Sequence, residues 1–484
     1  MAAGNSRNDC VPEVPATAHD PVGTIDGELH RLSAVPDDVL LNILGRLVAA
    51  GDVRAVARHH ATVAFTDALA RLLFLAALPS QRIIERLTLT FILTRRDYVR
   101  RIGELVGAAA AAGTASNIEF EIVTEMACTT SNDHPSMISY GERFKNFVRD
   151  CPGAFRSLTK LTVRSLWFKD QDALRDLVRG CDALEFLSLT FCGLLRPPAP
   201  ETNLILPAVL TIDAPRSRLK TLVCDYCYIE RVEVVQAPAL VELQHRWIFD
   251  DPSPPISCGC APSLKSLSLT HRHGKDLDDI DARWKLSELL VNVDQIETLR
   301  FDLENDKIWL QPEKPRELRG ALRGLKELHL TGISPGYNLS WTLFLLEAAP
   351  LLEILDIHIF NHICRAARAE WRKKHGKNTD LTWNPSPDFV HHNLKKLSLH
   401  RAFNAHKDLE FVRLVMELAV ILETLTLGVK SLECEDCTAA EPNFPDLARS
   451  RLRLKGNKEY VDAAVKKLKH GISTSAQITI LLPD

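Results

Sequence analysis

The chain has 484 residues, of which 46 % are hydrophobic and 25 % charged, with a formal net charge of −3. These values describe a soluble globular protein, and the length suggests about three domain-sized units. Near-neutral charge argues against nucleic-acid binding by phosphate neutralisation, which needs a basic surplus. No apolar stretch reaches the roughly 18 residues that cross a bilayer, so no membrane partner is expected.

The opening segment from Met1 to Cys10 lacks the apolar core of a secretory signal, and the expected location is the cytosol or the nucleus. Twelve cysteines sit mostly inside apolar, strand-like runs. They are expected to be free thiols acting as small hydrophobes, with no disulfide framework.

Residues 1–28 are rich in Pro, Ala, Gly, Asp and Asn without periodicity, which predicts a disordered leader. The first patterned stretch runs from Leu32 to Leu47. Pro36 suits a first helical turn, and Asp37 and Asp38 follow where the helix dipole favours negative charge. Val39, Leu40, Ile43, Leu44 and Leu47 then recur at spacings of three and four, forming one apolar stripe. Gly51-Asp52 reads as a break and a new N-cap, followed by a short helix from Val53 to Arg58. A third helix, rich in Ala and Leu, is expected from Ala61 to Leu78, ended by Pro79.

Beyond Pro79 one unit keeps returning in the form Leu-x-x-Leu-x-Leu. Its copies are Leu158–Val163, Leu184–Leu189, Leu219–Cys224, Leu240–His245, Leu264–Leu269, Ile296–Phe301, Leu325–Leu330, Leu352–Ile357, Leu394–Leu399 and Leu422–Leu427. Ile84–Leu89 and Ile118–Ile122 read as weaker early copies. Starts are about 21 to 42 residues apart, centred near the period of leucine-rich repeats. The final Leu-x-Leu alternates as a strand does, so both leucines point to one side. A single strand cannot bury that face alone; stacked units make a continuous core. The expected fold is therefore an α/β leucine-rich-repeat solenoid, with a parallel sheet on the inner curve. Helices such as Gln171–Val178 and Trp341–Ala349 are expected outside it. From Ser431 the pattern departs: Asn443-Phe-Pro-Asp-Leu reads as loop, Lys458–Leu468 as amphipathic helix and Ala476–Leu482 as a terminal strand.

The order of these parts resembles the large plant family of F-box proteins that carry leucine-rich repeats. Val35-Pro36-Asp37-Asp38 with Leu40, Ile43, Leu44 and Leu47 is similar to the Leu-Pro-Asp-Asp opening of an F-box. Cys151–Leu158 and Trp341–Pro350 resemble repeat segments of that family, and Leu432–Ile480 resembles its C-terminal FBD-like module. The resemblance implies a small N-terminal all-α F-box over residues 29–78, a repeat solenoid over 79–427 and an FBD-like cap over 428–484. It also implies docking on a Skp-type adaptor and through it a cullin-based ubiquitin ligase, with an unknown protein substrate held by the repeats. Leu32, Val35, Pro36, Leu40, Ile43, Leu44 and Leu47 would carry the docking. In the second half of the F-box the family usually has a Ser-Arg-Arg-Trp-like run. Here Arg58-His-His-Ala-Thr-Val-Ala-Phe65 stands in that place, and the first tryptophan is Trp167. A repeat scaffold that no longer engages the adaptor is the alternative.

Several patterns carry both a chemical and a plain reading. The Leu40/Ile43/Leu44/Leu47 stripe could equally be core facing the repeats. Gly332-Ile-Ser334-Pro-Gly336 matches the nucleophile elbow of serine hydrolases, but Pro335 removes an N–H that an oxyanion hole would use. It reads as a repeat loop, and no enzyme activity is expected. Cys224-x-x-Cys227 and Cys434-x-x-Cys437 have the spacing of half a zinc site, yet a shared site would need distant repeats to meet. No metal and no cofactor is expected, and Cys258-Gly-Cys260 reads as loop. Arg372–Lys377 reads as a solvated helix end rather than an import signal, and Asn338-Leu-Ser340 as an idle glycosylation match. The outward strand positions Arg246, Arg300, Asp302, His329, Asp356, His358 and His400 are the candidate substrate-binding residues. An ordinary solvated sheet face is the plain alternative.

Overall fold

Each Leu-x-x-Leu-x-Leu copy becomes a strand that starts two residues after its first leucine or, for Leu158, on it. The computed structural model describes residues 52–56, 62–77, 83–125, 134–197, 206–247, 253–271, 284–304, 308–334, 337–359, 381–400, 406–428 and 458–481. The leader, the Leu32–Leu47 stripe, Arg372–Lys377 and Cys434–Cys437 lie outside the described residues. Two compact units emerge where length suggests about three: the chain up to Ile248 with Gly259–Ala261, and Phe249–Cys258 with the chain from Pro262.

In the first unit the ladder comprises β1 (Asp52–Val56), β2 (Ile84–Ile92), β3 (Ala115–Val123), β4 (Leu158–Arg164), β5 (Phe186–Thr190), β6 (Thr221–Asp225) and β7 (Glu242–Trp247). Each strand pairs in parallel with the next in chain order. One inward row runs Leu89, Phe120, Leu161, Leu187, Leu222 and Leu243 in register, every member buried. Behind it lie α1 (Thr62–Ala76), α2 (Arg96–Ala111), α3 (His134–Asp150), α4 (Pro152–Ser157) and α5 (Ala173–Gly180).

The α2 helix buries Tyr98, Val99, Ile102, Val106 and Ala109, a stripe at spacings of three and four. It ends at Gly113, whose φ of 69° is left-handed. The N–H of Thr114 donates to Ala109 C=O and that of Gly113 to Ala110 C=O, the paired bonds of a Schellman stop. Phenylalanines join helices to sheet. Phe147 stacks on Phe120 at 6.2 Å and meets Phe155 edge-on at 5.0 Å, while Phe91 meets Phe120 edge-on at 5.3 Å.

β1 corrects the expected short helix at Val53–Arg58. Its backbone pairs with β2 from Asp52↔Arg86 to Val56↔Thr90. A six-residue helix would nucleate poorly in isolation, whereas the edge of β2 offers backbone groups ready for pairing. The segment read as a Cys258-Gly-Cys260 loop is also a strand, Ile256–Cys260. Ile256 and Cys258 are buried and Ser257 exposed, the alternation of a strand rather than a loop.

The second unit repeats the plan with β8 (Ser266–His271), β9 (Thr298–Asp302), β10 (Glu327–Ile333), β11 (Ile354–Ile359), β12 (Lys396–His400), β13 (Thr424–Gly428) and β14 (Gln477–Leu481). Again all neighbours in chain order pair in parallel. Leu267, Leu299, Leu328, Leu355, Leu397, Leu425 and Ile478 form one row. Its helices are α6 (Leu286–Leu289), α7 (Pro315–Leu322), α8 (Leu343–Ala348), α9 (His406–Leu418) and α10 (Lys458–Lys469).

Two devices hold this register. The residue after each leading leucine alternates in charge through Lys265, Glu297, Lys326, Glu353, Lys395 and Glu423. Glu297 contacts Lys265 at 2.8 Å and Lys326 at 3.0 Å, and Lys395 contacts Glu353 at 2.9 Å. Each pair is exposed and contributes little alone, yet a slip by one repeat would set like charges together. The second device is His391, 1 % exposed. Its Nε2 donates to Ala349 C=O at 3.0 Å, while Nδ1 accepts the N–H groups of Asn393 at 3.2 Å and Leu394 at 3.0 Å. Burial and the nearby His392 keep this ring uncharged by lowering its pKa, the Ala349 carbonyl opposing them.

Candidate functional site

Strand alternation leaves every second side chain of the ladder outside the core, and register decides which of them meet. On β10 and β11, His329 lies opposite Asp356. On β11 and β12, His358 lies opposite His400. The four side chains converge on one carboxylate. Asp356 Oδ2 is 3.3 Å from His329 Nδ1 and 3.2 Å from His358 Nε2. Its Oδ1 is 3.4 Å from His400 Nε2 and is buried without a hydrogen bond. The rings of His358 and His400 stack at 4.1 Å and 22°.

Electrostatics bind the cluster together. Burial disfavours the charged form of Asp356, but hydrogen bonds from His329 and His358 and the charges of His358 and His400 prevail. The carboxyl is held well below the usual carboxylate range. In return the Asp356 hydrogen bond raises the pKa of His329, against its own partial burial, with help from Glu327. Glu327 Oε2 reaches His329 Nε2 at 3.4 Å, and Arg300 reaches Glu327 at 3.9 Å.

Of the seven outward residues expected to bind substrate, four thus form one cluster and Arg300 joins it through Glu327. Asp302 does not: its Oδ1 accepts the N–H of Glu304 at 2.9 Å and shapes the turn after β9. Arg246 belongs to the first unit. It contacts Asp225 at 3.1 Å and lies 4.6 Å over the ring of Tyr226, which stacks on Phe191 at 5.5 Å. Phe191 and Tyr226 have φ near 50°, so the chain turns sharply after β5 and β6 and sets both rings at the ends of those strands. The expected adaptor-binding residues Leu32, Val35, Pro36, Leu40, Ile43, Leu44 and Leu47 are outside the described residues.

Sequence reasoning missed Glu327, Tyr226, Phe191 and Gly428. The last lies opposite His400, and a Cβ there would sit 2.8 Å from His400 Nδ1. The alternation itself marks Glu327 as outward, two residues before His329. Nothing in the repeat pattern marks the other three.

Among the described residues, the Ser334, Asn338 and Cys224/Cys227 motifs lie within the repeats. Ser334 is 1 % exposed and follows β10, and its carbonyl accepts the N–H of Tyr337. A 3₁₀ turn at Leu339–Thr342 comes next, opened by Asn338, whose Oδ1 accepts from Ser340 N–H. Cys151, Cys181, Cys192, Cys224, Cys227, Cys258 and Cys260 are free thiols. Burial pushes Cys192 up to about 12 and Cys227 well above the ordinary thiol value, and Cys227 Sγ donates to Leu189 C=O. Without a metal, Cys192 and Cys227 therefore stay protonated.

A family model described as the LRR domain of At1g61320/AtMIF1, a plant protein, matches residues 148–480. The chain belongs to this leucine-rich-repeat family. The match takes in β4 to β13 and runs across the terminal segment through most of β14. As a member of the family the chain carries a repeat domain suited to protein interaction, and the His/Asp cluster lies inside the matched repeats. No curated protein matches the chain. Among the described residues no helix is long and apolar enough to cross a membrane.

Proposed function

We propose that this leucine-rich-repeat protein is a non-catalytic substrate receptor of a Skp/cullin ubiquitin ligase. The repeats hold a target protein, and the segment Leu32–Leu47, ahead of the first ladder strand, docks on the adaptor. The observation that carries the interaction half of this reading is the convergence of His329, Asp356, His358 and His400 on the solvated face of β10 to β12. Packing does not require three imidazoles and a carboxylate there, since the inward rows already fill the core. The ligase half rests on the Val35-Pro36-Asp37-Asp38 segment and the apolar stripe after it, which stand ahead of the repeats as in F-box proteins. The mechanism is templating: the receptor raises the local concentration of its target beside a charged conjugating enzyme, and the chemistry stays with that enzyme. The proposed location is the cytosol or nucleus, where such ligases work.

The test is capture of a plant Skp-type adaptor by the full chain, alongside the double variant Ile43→Asp, Leu47→Asp. Binding by the wild type and loss in the variant is the expected result. No binding by the folded wild-type chain would favour the scaffold reading, with Arg58–Phe65 as the altered element.

A further inference from the structure

Asp356, His358 and His400 each offer one ligand atom, and these atoms lie within 4.8 Å of one another. The carboxylate approaches both rings, Oδ2 at 3.2 Å from His358 Nε2 and Oδ1 at 3.4 Å from His400 Nε2. A tetrahedral ion with ligand bonds of about 2.0–2.1 Å holds its ligand atoms about 3.3 Å apart. The side chains therefore need only small rotations to close on an ion. We propose that Asp356, His358 and His400 bind a divalent transition-metal ion of the zinc class.

The donor set selects the metal. Two imidazole nitrogens with one carboxylate suit zinc, cobalt or nickel, whereas calcium and magnesium prefer oxygen alone. Each ring would ligate through Nε2 as a neutral imidazole, keeping its remaining proton on Nδ1 and releasing any second proton to solvent. Asp356 would ligate through Oδ1, the buried oxygen without a hydrogen bond, while Oδ2 stays bonded to His329.

The surroundings match what metal ligands receive from their neighbours. His329 holds the carboxylate with Nδ1 and is itself held by Glu327, as outer partners commonly orient ligands. The lack of a side chain at Gly428 admits the Nδ1 side of the His400 ring, whose Nε2 faces Asp356. The side chains of Asp356, His400 and His358 are 21 %, 30 % and 44 % exposed, so solvent reaches the site. A three-ligand site of this kind leaves a coordination position for water or for a donor from a bound protein. A purely hydrogen-bonded network of the same four side chains is the competing account, and it needs no ion.

The experiment takes the full chain, freed of metal by chelation, and titrates it with Zn²⁺ by calorimetry and with Co²⁺ by absorption spectroscopy. The proposal expects one equivalent of Zn²⁺ in the wild type that is missing from the double variant His358→Gln, His400→Gln. The corresponding Co²⁺ complex should show d–d bands without a thiolate charge-transfer band. His329→Gln, a positioning variant, should weaken binding about 10–100-fold with the Co²⁺ bands unchanged. Should the double variant fail to fold, Asp356→Asn and a Zn²⁺-dependent rise in the wild-type melting temperature carry the test. Equal Zn²⁺ stoichiometry in wild type and variants, or a Co²⁺ spectrum of thiolate ligation alone, would overturn the site. These readouts are independent of adaptor capture, so either proposal can fail without the other.

Discussion

In β2 to β7 the first outward row reads Thr90, Glu121, Thr162, Ser188, Val223 and Gln244. In β8 to β13 the same row reads Ser268, Arg300, His329, Asp356, Ser398 and Thr426. The inward rows of the two units are nearly alike, each a run of leucines with an occasional phenylalanine, isoleucine, valine or cysteine, apart from the buried His245 that faces Cys224 in the first unit. The first outward row of the first unit is mostly short and neutral; that of the second carries charge and imidazole. The contrast teaches where the constraint lies. Inward positions are bound by close packing, which penalises even one methylene, while outward positions are free to take chemistry. The backing differs as well. The first unit leans on helices of 16 and 17 residues and a phenylalanine cluster, the second on helices of 13 and 12 residues in α9 and α10 and shorter segments of 8 and 6 in α7 and α8.

The largest test of this contrast removes core volume. Phe147→Ala in the first unit is expected to cost about 3–5 kcal/mol, and Leu355→Ala in the second about 2–5 kcal/mol, in urea unfolding. Thr162→Ala and Ser398→Ala, on the outward faces, should each change stability by less than about 0.5 kcal/mol. A comparable loss from the outward variants would break the distinction.

His391→Ala should come next, at about 1–3 kcal/mol, because two N–H groups and the Ala349 carbonyl lose their partner. This position also makes a pH prediction. The folded pKa of His391 is lowered, so its contribution is complete above the ordinary histidine value of about 6.5 and is lost as pH falls through the folded value. Unfolding measured across that range should show the wild type losing more stability on acidification than His391→Ala. Parallel pH profiles would contradict the neutral-ring assignment.

The smallest effect is expected from Glu297→Lys, which sets three lysines in a row at Lys265, 297 and Lys326. Its stability should fall slightly, and the loss should grow as salt is lowered and screening weakens. Salt-independent loss would assign the ladder a packing role instead.

Much of the fold is legible because leucines at fixed offsets report burial directly. The helix at Lys458–Lys469 and the strand at Gln477–Leu481 follow from ordinary periodicity. β1 was not legible, since Asp52–Val56 becomes a strand only through its pairing with β2. The long helices α2 and α3 hid between weak repeats, where Arg96–Ala111 shows its buried stripe beside an alanine run. Alternation named His329, Asp356, His358 and His400 as outward, but not as neighbours. Asp356 and the β12 residue it faces are 42 positions apart, a spacing too long for any local pattern to fix which residues meet.

The claim most open to direct attack is that Asp356 organises the three imidazoles as one cluster. Histidine-selective NMR titration of the full chain in metal-free buffer, wild type against Asp356→Asn, addresses it. His329 should titrate above the ordinary histidine value in the wild type and move down in the variant, because Asp356 is the leading cause of its raised pKa. Its stabilising contribution is complete below about pH 6.5 and is lost as pH rises through the folded value. An unshifted His329 resonance that ignores the substitution would show that the four side chains are neighbours without being a site.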